Sequence, residues 1–312
     1  LKDESKQHEW VFGPVPSRRL GRSLGVDLVP FKTCTFDCIY CQLGLTTCKT
    51  VEMKEWAPTQ KIIENVRRAL PETSPDYVTV SGSGEPTLHS KLADIIEAIK
   101  SITDIPVALL TNGSLFWRPD VRDAALMADL VIPSLDAGTE KDFLEVNRPH
   151  ESLSLEMVID GLLSFSGIFK GRVWLEIFLL EGINMGEPGI AKMIEVTNKM
   201  KPERIQLNTV SRPPCEAHAK PVSKERMESV ANRFGPNCEV IADFQHVHAL
   251  PEFSAKRDDV LVLLKHRPCT MSGIAAGLGI HVNEATKYVQ ELLERNEIKT
   301  TKQSGEKYYV PV

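Results

Sequence analysis

The sequence predicts an α/β protein: a parallel sheet with helices packed outside it, followed by a small helical unit. Three observations predict this. Strand-like and helix-like segments alternate between residues 23 and 210, and repeated βα units imply a parallel sheet flanked by helices. Each apolar strand runs into small or polar residues: the segment around Cys34, then Gly-Ser-Gly-Glu-Pro, Thr-Asn-Gly, Ser-Leu-Asp, Glu-Gly-Ile-Asn and Asn-Thr-Val-Ser-Arg. In barrel folds, loops at that end of the strands converge on one site. From about residue 256 the alternation gives way to three helical patterns and a hairpin pattern.

Residues 13–22 carry Gly13, Pro14, Pro16 and Gly21 and read as irregular backbone. Arg18, Arg19 and Arg22 offer guanidinium forks, either for a phosphate or carboxylate or as a solvated, salt-bridged approach to the first strand. Residues 23–29 alternate apolar and polar and read as that strand. A helix is expected over 59–70, where Ile62, Ile63, Val66, Ala69 and Leu70 share one face before Pro71. Strands follow at 77–80, 106–110, 130–133, 172–180 and 204–210. Helices are expected at 91–102, 118–127, 140–146, 153–165 and 187–200, and a helix at 222–234 with a strand at 238–242 finishes the core. The organisation is then a 1–22 extension, a 23–243 core, a 244–255 linker and a 256–312 unit.

At 312 residues the chain accommodates one domain of about 200 to 250 residues and a small appendage. Charged residues at 25% and hydrophobic ones at 42% mark an ordinary globular composition. A net charge of −5 argues against a whole-surface nucleic-acid footprint and leaves room for a local patch. No apolar run approaches the roughly 20 residues of a membrane helix. The polar first nine residues resemble neither a signal nor a transit peptide and lack an initiator Met, as in a trimmed chain.

The one stretch that names a chemistry is Cys34-Thr-Phe-Asp-Cys38-Ile-Tyr-Cys41. A loop that gathers three thiolates can hold three irons of a [4Fe–4S] cluster and leave the fourth open to another ligand. Structural zinc is the second reading, weakened because it asks for a second knuckle and none follows. Three unrelated buried thiols is the third. Cys48, Cys215, Cys238 and Cys269 show no disulfide-like spacing, which fits a reducing cytoplasm. Cys48, Cys215 and Cys238, with His218, His246 or His248, match no auxiliary-cluster pattern, and lone cysteines are most often buried hydrophobes.

CxxxCxxC with an aromatic residue before the last Cys resembles the radical S-adenosylmethionine (radical SAM) enzymes. The string from Phe12 to Asp27, running on to Gln42-Leu-Gly44, resembles the branch grouped with wybutosine-type tRNA-base synthases. The resemblance implies a partial (β/α)6 TIM-like barrel, with Cys34, Cys38 and Cys41 on a [4Fe–4S] cluster that binds S-adenosylmethionine (SAM) at its open iron. One electron, from an external donor of the ferredoxin or flavodoxin type, would then give a 5′-deoxyadenosyl radical that abstracts hydrogen.

Gly82-Ser83-Gly84-Glu85 is a close variant of the Gly-Gly-Glu-like turn that receives the SAM methionine in relatives. Glycines admit close backbone approach, and Glu85 would pair with the SAM ammonium, or serve as a helix-start carboxylate. Asn112 (before Gly113), Ser134 and Asp136 resemble side chains that contact methionine and ribose, and each also suits a cap or turn. Glu176 and Asn208 would face the interior near ribose or substrate; a carboxylate among Trp174, Leu175, Ile177 and Phe178 needs a partner, either SAM or an Arg. Tyr40 would lie beside the adenine or shield the cluster.

Helices at about 256–265, 271–278 and 283–296 and a hairpin at 298–312 resemble a winged helix. Ala285, Tyr288, Val289, Leu292 and Leu293 share one face of the third helix. From Lys256 onward nine Lys or Arg stand against seven Asp or Glu, a net of +2, and Glu284, Glu291 and Glu294 on the third helix would repel phosphates. Docking of a protein or peptide is therefore expected ahead of nucleic acid. Substrates of two kinds follow, a peptide or protein and an RNA base. A different class is a DNA-binding Fe–S regulator that senses redox state without SAM chemistry.

Overall fold

The computed structural model describes residues 10–17, 19–211, 214–242, 257–278, 282–303 and 306–312. The expected linker at 244–255 with His246 and His248, Arg18, Arg212 and the hairpin tip at 304–305 lie outside them. The chain begins with β1 (Val11–Ser17) and β2 (Gly21–Val26), an antiparallel pair. This corrects the reading of residues 13–22 as irregular: prolines are tolerated on an edge strand, and the register shifts between Phe12 and Val15 accommodate them. β2 also ends earlier than the alternation of 23–29 implies.

Two short strands, β3 (Thr33–Cys34) and β4 (Cys48–Lys49), pair in parallel at the base of the cysteine loop. The βα series then runs α1 (Thr59–Ala69), β5 (Tyr77–Val80), α2 (Leu92–Ile102), β6 (Val107–Thr111), α3 (Pro119–Ala125) and β7 (Leu130–Pro133). It continues with α4 (Glu140–Val146), α5 (Leu155–Ile168), β8 (Arg172–Phe178), α6 (Glu187–Met200), β9 (Arg204–Asn208), α7 (Lys224–Phe234) and β10 (Cys238–Val240). The sheet order is β1-β2-β5-β6-β7-β8-β9-β10, parallel from β2 to β10. Six βα units, with no strand paired beyond β1 or β10 among the described residues, make the partial (β/α)6 barrel that the resemblance implies.

Strand alternation divides inside from outside. Leu24, Val26, Val78, Val80, Leu175 and Ile177 pack outward into the main core, where Ile62 and Val66 of α1 and Ile95, Ile96 and Ile99 of α2 meet them. The alternate residues fill the interior. Leu20, Ala108, Leu130, Ile132 and Trp174 form an apolar plug, and two and four residues after Trp174 the same face of β8 presents Glu176 and Phe178. The plug supports a polar floor at the C-terminal ends of the strands. Capping sets the helix starts: Ser154 Oγ accepts from Met157 N at 3.3 Å, and Thr139 Oγ1 from Asp142 N at 3.1 Å.

The C-terminal unit contains α8 (Arg257–His266), α9 (Met271–Leu278), α10 (Val282–Glu294) and an antiparallel ribbon of β11 (Ile298–Gln303) and β12 (Glu306–Pro311). Its core joins Val260, Leu263, Leu264, Ile274, Leu278, Ala285, Val289 and Leu292 with Val15 of β1. The unit is thus packed onto the barrel's edge strand.

Candidate active site

The cysteine loop leaves β3 and is pinned at three places. Thr47 N and Cys48 N donate to Lys32 O, each at 3.1 Å, and Thr50 N donates to Cys34 O at 3.0 Å, closing its base. Asp37 N and Ile39 N donate to Asn147 O (2.9 Å) and Val146 O (3.0 Å), tying its middle to the end of α4. His150 N donates to Thr35 O at 2.8 Å.

Each sulfur meets a side-chain N–H donor. Lys32 Nζ donates to Cys41 Sγ at 3.0 Å, Asn112 Nδ2 to Cys34 Sγ at 3.6 Å and Asn147 Nδ2 to Cys38 Sγ at 3.5 Å. Burial pushes the Cys34 thiol up to about 12 and the Cys38 thiol well above its ordinary value. Burial works against the Lys32 ammonium, but the neighbouring Cys41, Cys34 and Cys38 outweigh it and raise the Lys32 pKa. A metal displaces the thiol protons, and an N–H donor at each sulfur then stabilises the thiolate. Three thiols with this donor set fit a [4Fe–4S] cluster. Among the described residues no three His, Cys, Asp or Glu converge on a single ion; a cubane does not require that, because each thiolate binds its own iron.

The Gly-Ser-Gly-Glu turn after β5 is built for close contact with this loop. A Cβ on Gly84 would lie 1.9 Å from Thr33 O, and one on Gly82 would lie 2.3 Å from the Asp27 carboxylate carbon. Ser83 is committed to Asp27: its N and Oγ donate to Asp27 Oδ2 at 2.9 and 2.5 Å. Glu85, only 2% exposed, ties two strand ends together. Its Oε1 accepts from Thr87 N (3.0 Å), Thr87 Oγ1 (2.6 Å) and Thr111 Oγ1 (2.6 Å), and its Oε2 from Asn112 N (2.8 Å). Burial nevertheless raises its pKa, against the lowering effect of these donors. The helix-start alternative is therefore realised, since Glu85 caps the short turn Pro86–Leu88.

Asn112 takes the turn role that the sequence offers for it and also reaches the cysteine loop. Its Oδ1 accepts from Ser114 N at 3.0 Å, a local turn bond, while its Nδ2 reaches Thr35 Oγ1 (2.7 Å) and Cys34. Ser134 N donates to Thr111 O, and Ser134 bridges Glu176 across the sheet. Asp136 accepts from Tyr40 Oη (2.5 Å), Asn147 Nδ2 (2.9 Å) and Phe178 N (2.9 Å), and burial pushes its carboxyl up to about 6. Tyr40 stacks on Phe178 at 3.9 Å between centroids. A chain Tyr40–Asp136–Asn147–Cys38 thus couples the loop to the ends of β7 and β8.

Glu176 finds its partner in the N-terminal hairpin. Arg19 Nη1 donates to its Oε2 at 2.7 Å, and Asn208 Nδ2 to its Oε1 at 2.8 Å. Of the two partners that the sequence leaves open, the Arg is realised. Lys32 and Asn147 were not anticipated. Lys32 precedes the motif and looks like an ordinary surface cation, and Asn147 lies 109 positions from its sulfur. Of the other cysteines, Cys48 pairs with Thr33 at the loop base, Cys269 is buried in the C-terminal core, and Cys238 opens β10. Cys215 lies within electrostatic reach of Asp37, Glu216, Cys41 and Lys32, and burial raises its pKa.

Beside the loop, lined in part by Gln42 and Gly82, is a cavity of about 230 Å³. Ser23 and Thr79, whose hydroxyls lie 2.5 Å apart, form part of one wall. Arg19 enters from the hairpin, and α8 and the residue after it supply Leu263, His266 and Arg267.

A barrel of βα units with a three-thiol loop at the end of its first parallel strand is the architecture of the radical SAM superfamily. Residues 28–194 match the model of that superfamily, and the chain belongs to it. The UPF0026 protein of Helicobacter pylori (strain J99) is 34% identical over 304 residues, covering 96% of each chain. The protein called GTPase Obg of Brachyspira hyodysenteriae is 40% identical over 289 residues, 91% of this chain and 42% of that protein. The chain thus spans less than half of that relative, and it has no Gly-x-x-x-x-Gly-Lys-Ser/Thr loop for nucleotide phosphates. Among solved structures, Streptococcus suis SuiB bound to S-adenosylmethionine shares the fold, with 14% identity and a TM-score of 0.52 over 76% of this chain and 54% of that one. Enzymes of the superfamily use a [4Fe–4S] cluster and SAM and need an external reductant. No helix among the described residues is long and apolar enough to cross a membrane.

Proposed function

We propose that this chain is a radical SAM enzyme whose cluster rests on Cys34, Cys38 and Cys41. The observation that carries the reading is the set of side-chain N–H donors, one for each sulfur. When bound and reduced, the cluster supplies the electron that cleaves a carbon–sulfur bond of SAM, giving a 5′-deoxyadenosyl radical that takes hydrogen from the substrate.

The residues around it bind and orient. Gly82 and Gly84 let backbone approach closely. Glu85 Oε2 accepts one bond, and a carboxylate oxygen takes two, which leaves a place for the SAM ammonium. Asn112, Ser134 and Asp136 frame the cofactor at the ends of β6 and β7, and Tyr40 shields the loop from the Phe178 side. Glu176 and Asn208 set the polar floor on the substrate side. Lys32 holds a positive charge at Cys41, which favours uptake of the electron from a ferredoxin- or flavodoxin-type donor. What reaches the site is small: a single base, a single side chain or a free small molecule enters a cavity of about 230 Å³, whereas a folded partner does not.

Anaerobic reconstitution with iron and sulfide, addition of SAM and dithionite, and measurement of released 5′-deoxyadenosine test this. Release from the wild type and none from Cys34→Ala, Cys38→Ala or Cys41→Ala is expected. Reconstituted iron with no release would instead fit a redox-sensing regulator.

A further inference from the structure

The Gly-Ser-Gly-Glu turn is held by two neighbours. Toward the cysteine loop, Lys32 N donates to Ser83 O at 2.9 Å and Glu85 N to Thr33 O at 3.0 Å. Toward the end of β2, Ser83 N and Ser83 Oγ both donate to Asp27 Oδ2, at 2.9 and 2.5 Å. The packing is tight there, since a Cβ on Gly82 would lie 2.3 Å from the Asp27 carboxylate carbon. Asp27 is 2% exposed, and its Oδ2 fixes where the turn stands relative to the loop.

The same oxygen meets the C-terminal unit. His266, the last residue of α8, places Nδ1 4.0 Å from Asp27 Oδ2. Its ring is set by a stack on Phe12, with centroids 3.7 Å apart and planes at 15°. Phe12 is itself seated over β2, where a Cβ on Gly25 would fall 2.1 Å from Phe12 Cζ. Val15 of the same strand is buried in the core of the C-terminal unit. A buried carboxylate is stable only with donors or opposite charge around it. His266 brings a ring nitrogen within ion-pair reach of the one that orients the turn. A path of contacts thus runs from α8 through His266, Asp27, Ser83 and Lys32 to Cys41.

We propose that His266 is a positioning residue for SAM: acting through Asp27, it holds Ser83 and the flanking glycine backbone where the methionine end of the cofactor is received. The proposal rests on the radical SAM reading for its ligand, and it makes the C-terminal unit part of the support of the cofactor site. Neither His266 nor Asp27 is asked to touch SAM.

Two measurements test it, one of them without cluster or SAM. In the cluster-free full chain, amide exchange at Ser83 is followed by NMR, with Thr87, whose N–H donates to Glu85 Oε1, as the internal reference. His266→Phe keeps an aromatic ring on Phe12 and removes Nδ1, and exchange at Ser83 is expected to quicken about fivefold relative to Thr87. In the reconstituted, reduced protein, SAM affinity is read from the change that SAM causes in the electron paramagnetic resonance spectrum of the cluster. His266→Phe is expected to bind SAM about fivefold more weakly and Asp27→Asn about tenfold, each with the iron content of wild type. The double variant is expected to match Asp27→Asn alone, because residues acting in series do not add. Lys265→Gln, at the exposed neighbour of His266, is expected to match wild type in both measurements. If Asp27→Asn does not fold, Ser83→Ala takes its place. Unchanged exchange at Ser83 in His266→Phe, or unchanged SAM affinity, overturns the proposal alone, as do additive losses in the double variant or iron lost in step with SAM affinity. A wild-type cluster whose spectrum ignores SAM overturns the radical SAM reading and this proposal together.

Discussion

Replacing Glu85 separates its structural role from its role toward SAM. In Glu85→Ala the two hydroxyl donors, on Thr87 and Thr111, can rotate to other acceptors, but the backbone N–H groups of Thr87 and Asn112 cannot. Each buried N–H left without an acceptor costs about 1–3 kcal/mol, so the two together cost roughly 2–6 kcal/mol. Removing a carboxylate whose burial raises its pKa returns part of that, which puts the expected net loss at about 3 kcal/mol. Glu85→Gln keeps one oxygen for Thr87 and Thr111 and turns an amide against Asn112 N, so a loss of roughly 1–2 kcal/mol is expected. Urea unfolding of the cluster-free protein, with wild type alongside, measures both. SAM binding to the reconstituted protein then shows whether Glu85→Gln weakens the cofactor beyond its effect on folding. A loss below about 1 kcal/mol in Glu85→Ala, or equal losses in the two variants, would refute the two-strand tie.

Other outcomes follow from the same geometry. Arg19→Met removes the ion pair between Arg19 and the Glu176 carboxylate, and urea unfolding should show a loss of about 3 kcal/mol, larger than that of Glu176→Gln. Lys32→Met removes a positive charge beside Cys41, so the cluster should become harder to reduce; a spectroscopic redox titration should show a more negative potential, and an unchanged potential would remove Lys32 from the cluster's surroundings. Buried His89 bonds Ala57 O through Nε2 and accepts from Lys91 N at Nδ1, and burial lowers its pKa below 6.5. Below that value the unfolded chain binds the proton more readily than the native one, so the stability contributed by neutral His89 is complete above pH 6.5 and is lost as pH falls. Unfolding midpoints across that range should decline more steeply for wild type than for His89→Gln.

The legible part of the site is the part written contiguously. Three thiols within eight residues declare a cluster loop whatever the rest of the chain does, and the turns after β5, β6 and β7 stand out because polar clusters interrupt apolar strands. Their partners are a different matter. Arg19 and Glu176 are 157 positions apart and Asn147 is 109 from Cys38, and no local periodicity links such positions. The strand over Val11–Ser17 was hidden by its prolines, which an edge strand tolerates because one side of it needs no ladder bonds.

By itself the sequence determined the βα order, the three thiols and the polar strand ends, because helix and strand periods and the clustering of cysteines are properties of neighbouring residues. Only the tertiary structure decided which groups of distant segments take the oxygens of Glu85 and Asp136, that each sulfur has a side-chain N–H donor, and that α8 forms part of the cavity wall. Those choices depend on distances across the barrel, and such distances come into being only when the sheet curls.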